Sequence, residues 1–215
     1  MSTLTTRFIP AKVTNSPWLT IVLHGLGDSM DGYIWMPHVL DMPWMNYLLV
    51  NAPDPYFQGF SWYDIFGENP TIGINRSRKL LLELLAEMQK NGFPLEKTYL
   101  FGFSQGCLMV LETGFQCSRK LAGIVGISGY VEDLEKFIAM ASPAAKEQRI
   151  LVTHGWRDPV LPFDRTREQI QILIRHGYLI EWHEFNKEHT IDEKDEIPII
   201  KAFISSPYLE DVKEK

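Results

Sequence analysis

A serine between two glycines is the first feature of this 215-residue chain that could do chemistry. Residues Gly102–Gly106 spell G-x-S-x-G, with Ser104 at the centre, an apolar run Tyr99–Phe101 before it and a helix-like run after it. Such a setting is typical of a nucleophile elbow, a tight strand-to-helix turn in which flanking glycines avoid collisions with neighbouring backbone. Ser104 is therefore the candidate nucleophile, at a helix N-terminus whose dipole favours negative charge. The alternative is a serine that only caps the helix.

A carboxylate would be needed to orient and charge-balance a catalytic histidine, and Asp158 is the candidate. It follows a predicted strand across the turn His154–Arg157, and Pro159 after it favours an extended backbone, which suits a loop acid. Glu132 and Asp133 are the runner-up acids, because the acid can also follow the preceding strand. A third interpretation makes Asp158 a turn former or a salt-bridge partner of the preceding arginine.

The serine needs a base to remove its proton, and the chain holds six histidines. His189 follows the last predicted strand and completes the order Ser, Asp, His along the chain, which is the order of α/β-hydrolases. The alternative for His189 is a solvated side chain in the charged stretch 184–196. The remaining histidines are predicted to be structural or to orient backbone: His24, His38, His154, His176 and His183.

An oxyanion hole needs two backbone N–H donors. One should come from Gln105, directly after the nucleophile, and the other from the glycine-containing run His24–Asp28, which can turn the Leu26 N–H into the site. Two other interpretations of that run stay open. It resembles a dinucleotide-binding G-x-G-x-x-G, although the third glycine would fall at Met30, and the ends of the run could bind a metal, although no third ligand stands at a recognised spacing.

An aromatic segment, residues 53–73, is the candidate substrate wall. It is long, loop-like and rich in Pro and Gly, and such loops in compact domains are usually functional. Trp62 and Phe66 are the residues predicted to contact substrate, as an apolar wall or partial lid over an acyl group. The alternative is a small secondary core packed under the loop.

The elements that must position these residues alternate between short apolar strands and longer helical segments. Strands are predicted at Leu19–Leu23, Tyr47–Val50, Thr98–Phe103, Leu121–Ile127, Arg149–Thr153 and Tyr178–Phe185. Helices are predicted at Arg78–Gln89, Gln105–Phe115, Glu132–Ala141, Asp164–Arg175 and Glu196–Ile204. This alternation predicts an α/β fold with a mostly parallel central sheet and helices on both faces, whose active groups follow the carboxyl ends of the strands.

Composition places the chain among ordinary globular proteins, with 45% hydrophobic and 22% charged residues. A net charge of −6 argues against binding nucleic acid or anionic lipid surfaces, and no apolar run approaches the ~20 residues of a membrane helix. No secretory signal is recognisable, so a cytoplasmic protein is expected. We expect one domain over residues 1–215, with a flexible tail from about residue 207. Cys107 and Cys117 are expected to be reduced thiols.

The motifs together resemble the phospholipase/carboxylesterase family of small α/β-hydrolases, which includes acyl-protein thioesterases and lysophospholipases. The resemblance covers nearly the whole chain and rests on motifs at residues 24–29 (HGLGDS), 52–53 (AP), 62–64 (WYD), 102–106 (GFSQG), 121–123 (LAG) and 154–162 (HG…DPV…P). It implies that Ser104, Asp158 and His189 form a catalytic triad and that Leu26 and Gln105 supply the oxyanion donors. It also implies an α/β-hydrolase fold with no large cap domain.

The implied activity is hydrolysis of acyl esters or thioesters through an acyl-enzyme, with no metal and no organic cofactor. Substrates could be small acyl esters, lysophospholipids or acylated proteins, and the resemblance allows a homodimer. The chain departs from relatives in three places: Met30–Gly32 stands where Gly-His-Gly is frequent, Cys107 replaces a small residue, and no glycine directly precedes His189. The loop Ile65–Ile74 is short, which indicates an acyl chain shorter than palmitoyl. The open alternatives are a binding protein on the same fold, or a hydrolase of another bond, such as a peptidase or a dienelactone-type enzyme.

Overall fold

The structure, a computed structural model, describes residues 4–213. Its strands are β1 (Thr6–Ile9), β2 (Trp18–Leu23), β3 (Met45–Val50), β4 (Asp54–Tyr56), β5 (Gly59–Ser61), β6 (Thr98–Phe103), β7 (Gly123–Ile127), β8 (Ile150–Gly155) and β9 (Ile180–Phe185). Its α-helices are α1 (Met36–Leu40), α2 (Pro70–Lys90), α3 (Gln105–Gln116), α4 (Leu134–Ala139), α5 (Phe163–Arg175) and α6 (Glu196–Lys213). Short 3-10 helices cover 30–33, 95–97 and 143–147.

Seven strands form one sheet in the order β1-β3-β2-β6-β7-β8-β9, and β4 and β5 form a separate hairpin. Only β1 runs antiparallel to its neighbour within this sheet, while every other pair is parallel. The predicted mostly parallel sheet is therefore confirmed. Because the strand ends that carry Ser104, Asp158 and His189 belong to the parallel part, all three residues follow carboxyl ends on one edge.

Two hydrophobic cores lie on opposite faces of the sheet, which confirms helices on both sides. Along β2, Leu19, Ile21 and Leu23 face the core that contains α2, α3, α4 and α5. Trp18 and Val22 face the other core, with α1 and α6. This alternation is the period-two side-chain pattern of a strand buried on both faces.

Helix α3 is the most deeply buried helix: its residues Gln105 through Phe115 are all buried. A helix that is apolar almost all round belongs in a core rather than at a surface. Its one buried carboxylate, Glu112, pairs with Arg78 of α2 at 2.9 Å. Burial raises the pKa of Glu112 although the nearby guanidinium acts in the opposite direction.

The segment 53–73 differs from the loop that the sequence predicted. It contains the β4–β5 hairpin and the start of α2, which begins at Pro70 rather than at Arg78. The Asn69 side chain accepts the Thr71 N–H at 3.0 Å and so caps the helix, with Pro70 in the first turn. The predicted apolar stripe from Arg78 onward was correct, but it marked only the later part of the helix, whose buried residues begin at Ile74.

Helix α6 continues through residue 213, so residues 207–213, expected to belong to a tail, are helical. Residues 214 and 215, the rest of that expected tail, lie outside the described residues. No cap domain interrupts the described chain, as expected for a small α/β-hydrolase. None of the described helices has the length and apolar character needed to cross a membrane.

The N-terminus of α3 lies very close to the ends of β2 and β6. A Cβ on Gly106 would lie 2.3 Å from the Leu23 carbonyl oxygen, and a Cβ on Gly102 would lie 2.2 Å from the Gly106 carbonyl oxygen. Both obstacles are backbone atoms, which cannot turn aside as a flexible side chain can. The two glycines of the motif are therefore required by this contact.

Gly106→Ala should lower the free energy of unfolding by about 3 kcal/mol, the upper end for overpacking, because the new methyl group meets backbone. Urea unfolding of the variant and the parent protein tests this. Gln116→Ala, in the last turn of the same helix, should change stability by less than about 1 kcal/mol. Equal stabilities of Gly106→Ala and the parent would contradict the close contact.

Candidate active site

Ser104 lies in the turn between β6 and α3 with a backbone conformation that serine rarely adopts. Its φ is +55° and its ψ is −116°. The Ser104 N–H donates to the Ile127 carbonyl at the end of β7, 2.8 Å away, which ties the turn to the neighbouring strand. The side chain is half-buried and makes no hydrogen bond that caps the helix. This is the geometry expected of a nucleophile elbow, where the surrounding contacts hold a strained residue in place.

Ser104, His189 and Asp158 form a continuous hydrogen-bonded chain. The Oγ of Ser104 lies 2.8 Å from Nε2 of His189, and Nδ1 of His189 lies 2.7 Å from Oδ2 of Asp158. Since an ionised carboxylate only accepts, Nδ1 carries the proton and Nε2 is left to accept the serine hydroxyl proton. The structure therefore brings together the three residues that the sequence analysis selected.

Asp158 is held as a carboxylate by its surroundings, although its side chain is fully buried. Burial by itself raises its pKa, but the hydrogen bonds from His189, Leu161 and Val160 outweigh that effect and keep the pKa below its usual value. The backbone N–H groups of Val160 and Leu161 both donate to Oδ1, at 2.8 and 2.9 Å. These two bonds leave Oδ2 for the histidine.

His154 is a second histidine beside the same carboxylate. Its Nε2 lies 3.2 Å from the Leu161 carbonyl oxygen and 3.4 Å from Oδ2 of Asp158. The ring is buried, and burial lowers its pKa, so it is neutral at neutral pH. Sequence reasoning proposed only that His154 orients backbone, and its fourth-residue spacing from Asp158 was the available signal for this contact.

The oxyanion candidates follow β2 and β6. The His24 ring is buried in the loop after β2, with Nδ1 2.6 Å from the Gly25 carbonyl and Nε2 3.1 Å from the Ala52 N–H. His24 thus shapes the loop with both ring nitrogens and offers neither to a metal. The N–H groups of Leu26 and Gln105 have no acceptor within residues 4–213, which leaves both available to a substrate oxygen.

The β4–β5 hairpin is fixed to this loop and to the elbow. Gly27 N–H donates to the Phe60 carbonyl, and Phe60 N–H donates back to Asp28, both at 2.9 Å. The buried Gln105 side chain accepts from the Trp62 N–H and donates to the Tyr63 carbonyl, both at 2.7 Å. Gln105, one candidate oxyanion donor, therefore also anchors the hairpin beside the loop of Leu26, the other candidate.

Trp62, predicted to contact substrate, is fully buried, and its indole N–H donates to the His24 carbonyl at 2.9 Å. A ring with no exposed surface cannot touch a substrate, so the structure gives Trp62 a supporting position instead. Phe66 is 77% exposed beside Ile65, and its N–H donates to Asp64. Its expected role in substrate binding stays a prediction.

Two cavities border the candidate site, one at Leu26 and the other at His189. The first has a volume of about 380 Å³ and is lined by Leu26, Asp54, Pro55, Tyr56, Ser61, Asp64 and Ile65. The second has a volume of about 270 Å³ and is lined by Asp28, Gly32, Tyr33, Trp35, Phe103, His189, Thr190, Ile191 and Glu193. Ligand pockets usually measure ~300–1,000 Å³, so the first cavity lies at the lower end of that range and the second lies just below it.

The other candidates have structural positions. Asp133 caps α4 by accepting the Lys136 N–H at 3.1 Å, so this runner-up acid serves the helix. Cys107 and Cys117 are buried free thiols, and burial raises the pKa of the Cys107 thiol to about 12, which keeps it protonated. Among residues 4–213 no three His, Cys, Asp or Glu side chains are grouped so that they could hold a metal ion.

The sequence model of the phospholipase/carboxylesterase family matches residues 5–207. The acyl-protein thioesterase 1 of Schizosaccharomyces pombe is 35% identical over 172 residues, which cover 73% of this chain and 75% of that protein. That of Yarrowia lipolytica is 29% identical over 196 residues, 82% of this chain and 86% of that protein.

Among solved structures, the crystal structure of esterase PE8 is similar with a TM-score of 0.83 and 26% identity, covering 94% of this chain and 97% of that chain. Acyl-protein thioesterase 2 of Zea mays has a TM-score of 0.78 with 21% identity, covering 94% of this chain and 98% of that chain. At that lower identity the likeness concerns the fold.

Asp158 should contribute to the acid sensitivity of the fold. Because its pKa in the folded protein lies below the ordinary value of 3.8, its ionised form stabilises the fold above about pH 4, and this contribution disappears as the pH falls through the folded pKa. Asp158→Asn should therefore lose less stability than the parent between about pH 5 and pH 2 in urea unfolding.

Asp195→Asn removes an exposed carboxylate and serves as the matched control, with a pH dependence equal to that of the parent. An acid limb in Asp158→Asn as steep as in the parent would contradict the electrostatic role of Asp158.

Proposed function

Because this chain belongs to the phospholipase/carboxylesterase family, we propose that it hydrolyses acyl esters and thioesters through an acyl-enzyme on Ser104. The observation that carries this proposal is the chain of hydrogen bonds from Ser104 through His189 to Asp158, at 2.8 and 2.7 Å. The family relationship supports a serine hydrolase, and the geometry supports these three residues as its catalytic groups.

In the first half of the reaction, Ser104 Oγ attacks the acyl carbonyl carbon while His189 Nε2 accepts the hydroxyl proton. Charge then collects on the carbonyl oxygen, which the N–H groups of Leu26 and Gln105 would stabilise. Asp158 stabilises the imidazolium and keeps its orientation. When the tetrahedral intermediate collapses, the alcohol or thiol leaves with the proton from His189, and the acyl group stays on Ser104.

The second half repeats the same proton transfers with water as the nucleophile. His189 takes a proton from water, the resulting tetrahedral intermediate uses the same two N–H donors, and His189 returns the proton to Ser104 Oγ as the carboxylic acid departs. His189 gives up each proton that it accepts, so the cycle ends with free enzyme, a carboxylic acid and an alcohol or thiol.

The acyl group is proposed to occupy the cavity beside Leu26, because that residue borders both the cavity and the oxyanion position. Its walls are apolar at Pro55, Tyr56 and Ile65. The preference for a short acyl chain is proposed from the short segment Ile65–Ile74 beside this cavity. Relatives named acyl-protein thioesterases make acylated proteins one substrate class, beside small esters and lysophospholipids. A cytoplasmic location and a homodimer stay predictions.

A ligand-binding protein that keeps the fold without turnover is not favoured. Such a protein has no need of a serine hydroxyl at 2.8 Å from a histidine that a buried carboxylate orients. Labelling with a fluorophosphonate probe separates the two functions, because only an activated serine reacts.

Ser104→Ala should reduce turnover of p-nitrophenyl acetate and p-nitrophenyl butyrate by at least about 10³-fold, because the nucleophile is lost. The same variant should no longer be labelled by the fluorophosphonate. Ser205→Ala, a half-buried serine of α6, should keep full activity and labelling. Retained activity in Ser104→Ala would reject this serine as the nucleophile.

The acyl preference should change when the cavity wall is cut back. In a series of p-nitrophenyl esters from acetyl to palmitoyl, the parent should have its highest kcat/KM at short chains, and Tyr56→Ala should move the optimum to longer ones. Phe57→Ala is the matched control, since its ring is 90% exposed and borders neither cavity. An optimum that stays unchanged in Tyr56→Ala would place the acyl group elsewhere.

A further inference from the structure

An ion pair that the triad does not use lies beneath the loop that carries His189. The Lys187 ammonium lies 2.6 and 2.7 Å from the two carboxylate oxygens of Glu196. The side chains are only 2% and 0% exposed. Charges this deeply buried are rare in proteins unless they are paired and hydrogen-bonded, as both are here.

Further hydrogen bonds connect this pair to the backbone that follows His189 and to the central sheet. The Lys187 ammonium also donates to the Thr190 carbonyl at 2.9 Å, one residue beyond His189. Glu196 accepts the Asp192 N–H at 2.8 Å and the hydroxyl of Thr153 on β8. The segment 187–192 is thus fastened on both sides of His189, and the fastening ends on a strand of the central sheet.

The backbone of Lys187 also contacts the loop that carries the acid. A Cβ on Gly155, at the end of β8, would lie 2.2 Å from the Lys187 carbonyl oxygen, so glycine permits this approach. The same carbonyl accepts the Arg157 N–H at 3.3 Å, next to Asp158. Lys187 therefore joins the base loop to the acid loop at the point where His189 and Asp158 must meet.

Stability alone gives little reason for this arrangement. Removing two charges from water is costly, and replacing a buried ion pair by uncharged side chains of similar volume is often neutral or stabilising. Burial lowers the pKa of Lys187 even with Glu196 beside it, which shows the cost of the buried ammonium. The pair does fix the conformation of one short loop, because it holds the Thr190 carbonyl and the Asp192 N–H by hydrogen bonds.

We propose that Lys187 and Glu196 are positioning residues that hold the His189 ring at hydrogen-bond distance from Ser104 and Asp158. This inference rests on the proposed esterase chemistry. It gives a reason for the sequence around the base, where no glycine directly precedes His189 and a lysine stands two residues before it. Neither residue touches the reacting atoms, so the effect must pass through the placement of the imidazole.

The test compares the parent with Lys187→Met/Glu196→Gln, which removes both charges together. The glutamine oxygen still accepts the Asp192 N–H, and its NH2 group faces the Thr153 hydroxyl, which accepts as well as donates. Single-turnover acylation by p-nitrophenyl butyrate should slow on the order of 10- to 100-fold, because displacing the base by about 1 Å lowers the rate of proton transfer by up to about that factor. The ester concentration at half-saturation should stay within about twofold, since the acyl cavity is untouched. Thermal unfolding should show a folded protein at the assay temperature.

Lys194→Met/Asp195→Asn is the matched control, because it makes a similar change of charge at exposed positions of the same loop. It should acylate at the parent rate. Acylation at the parent rate in the buried double variant would overturn the proposal. So would a higher ester concentration at half-saturation with an unchanged acylation rate, or a loss of acylation rate no larger than the fraction of unfolded protein. Failure of the parent itself to turn over esters would instead reject the proposed function.

Thr153→Val is the milder second variant if the double variant does not fold. It removes one donor to Glu196 without changing the charge, and it should slow acylation by about threefold with half-saturation unchanged. An unchanged acylation rate in this folded variant would contradict the proposal that the hydrogen bonds of Lys187 and Glu196 position His189.

Discussion

The contact between the start of α3 and the ends of β2 and β6 is the constraint on which the site depends. Ser104 can be held at a φ of +55° only because the helix approaches so closely that Gly102 and Gly106 lack room for a Cβ. The helix itself is buried from Gln105 to Phe115, so its position is set by the core rather than by solvent-exposed contacts. The packing of α3 in the hydrophobic core thus stabilises an unfavourable backbone conformation at Ser104, the candidate nucleophile.

Polar contacts then bring the remaining groups to the elbow. The Gln105 side chain holds the β4–β5 hairpin, and the hairpin holds the loop that contains Leu26. On the opposite side, Lys187 and Glu196 tie the loop of His189 to the end of β8. Each of these polar side chains is buried, where an unpaired polar group would be costly, so each is fully engaged and restricts the loop it contacts.

Three histidines near the site show how surroundings decide the role of one residue type. His24 uses both ring nitrogens to shape a loop, and His154 is buried and neutral beside Asp158. His189 alone among the three contacts both the serine and the acid, with 16% of its side chain exposed. Exposure and hydrogen-bond partners, rather than residue type, therefore single out His189 as the candidate base.

The sequence by itself determined the alternation of strands and helices, the parallel sheet and the choice of Ser104, Asp158 and His189, which the fold brings into one hydrogen-bonded chain. These follow from local patterns: apolar runs mark buried strands, and the G-x-S-x-G turn and the strand-end positions of Asp158 and His189 mark chemistry. Local patterns also missed the β4–β5 hairpin and the first turns of α2, because those segments are short and lack a long apolar period.

Only the tertiary structure decided which side chains face the substrate and which support the site. Trp62 was predicted to contact substrate, yet the fold buries it against the His24 loop. Lys187 lies in the charged stretch 184–196, and the fold pairs it with Glu196 in the interior. Neither outcome can be read from the neighbours of these residues along the chain. Trp62 is buried by a loop 38 residues away along the chain. Glu196 lies only nine residues from Lys187, but it also accepts the hydroxyl of Thr153, 43 residues away on β8, so this pair too is placed by a contact distant in sequence. The contact between Ser104 and His189 spans 85 residues.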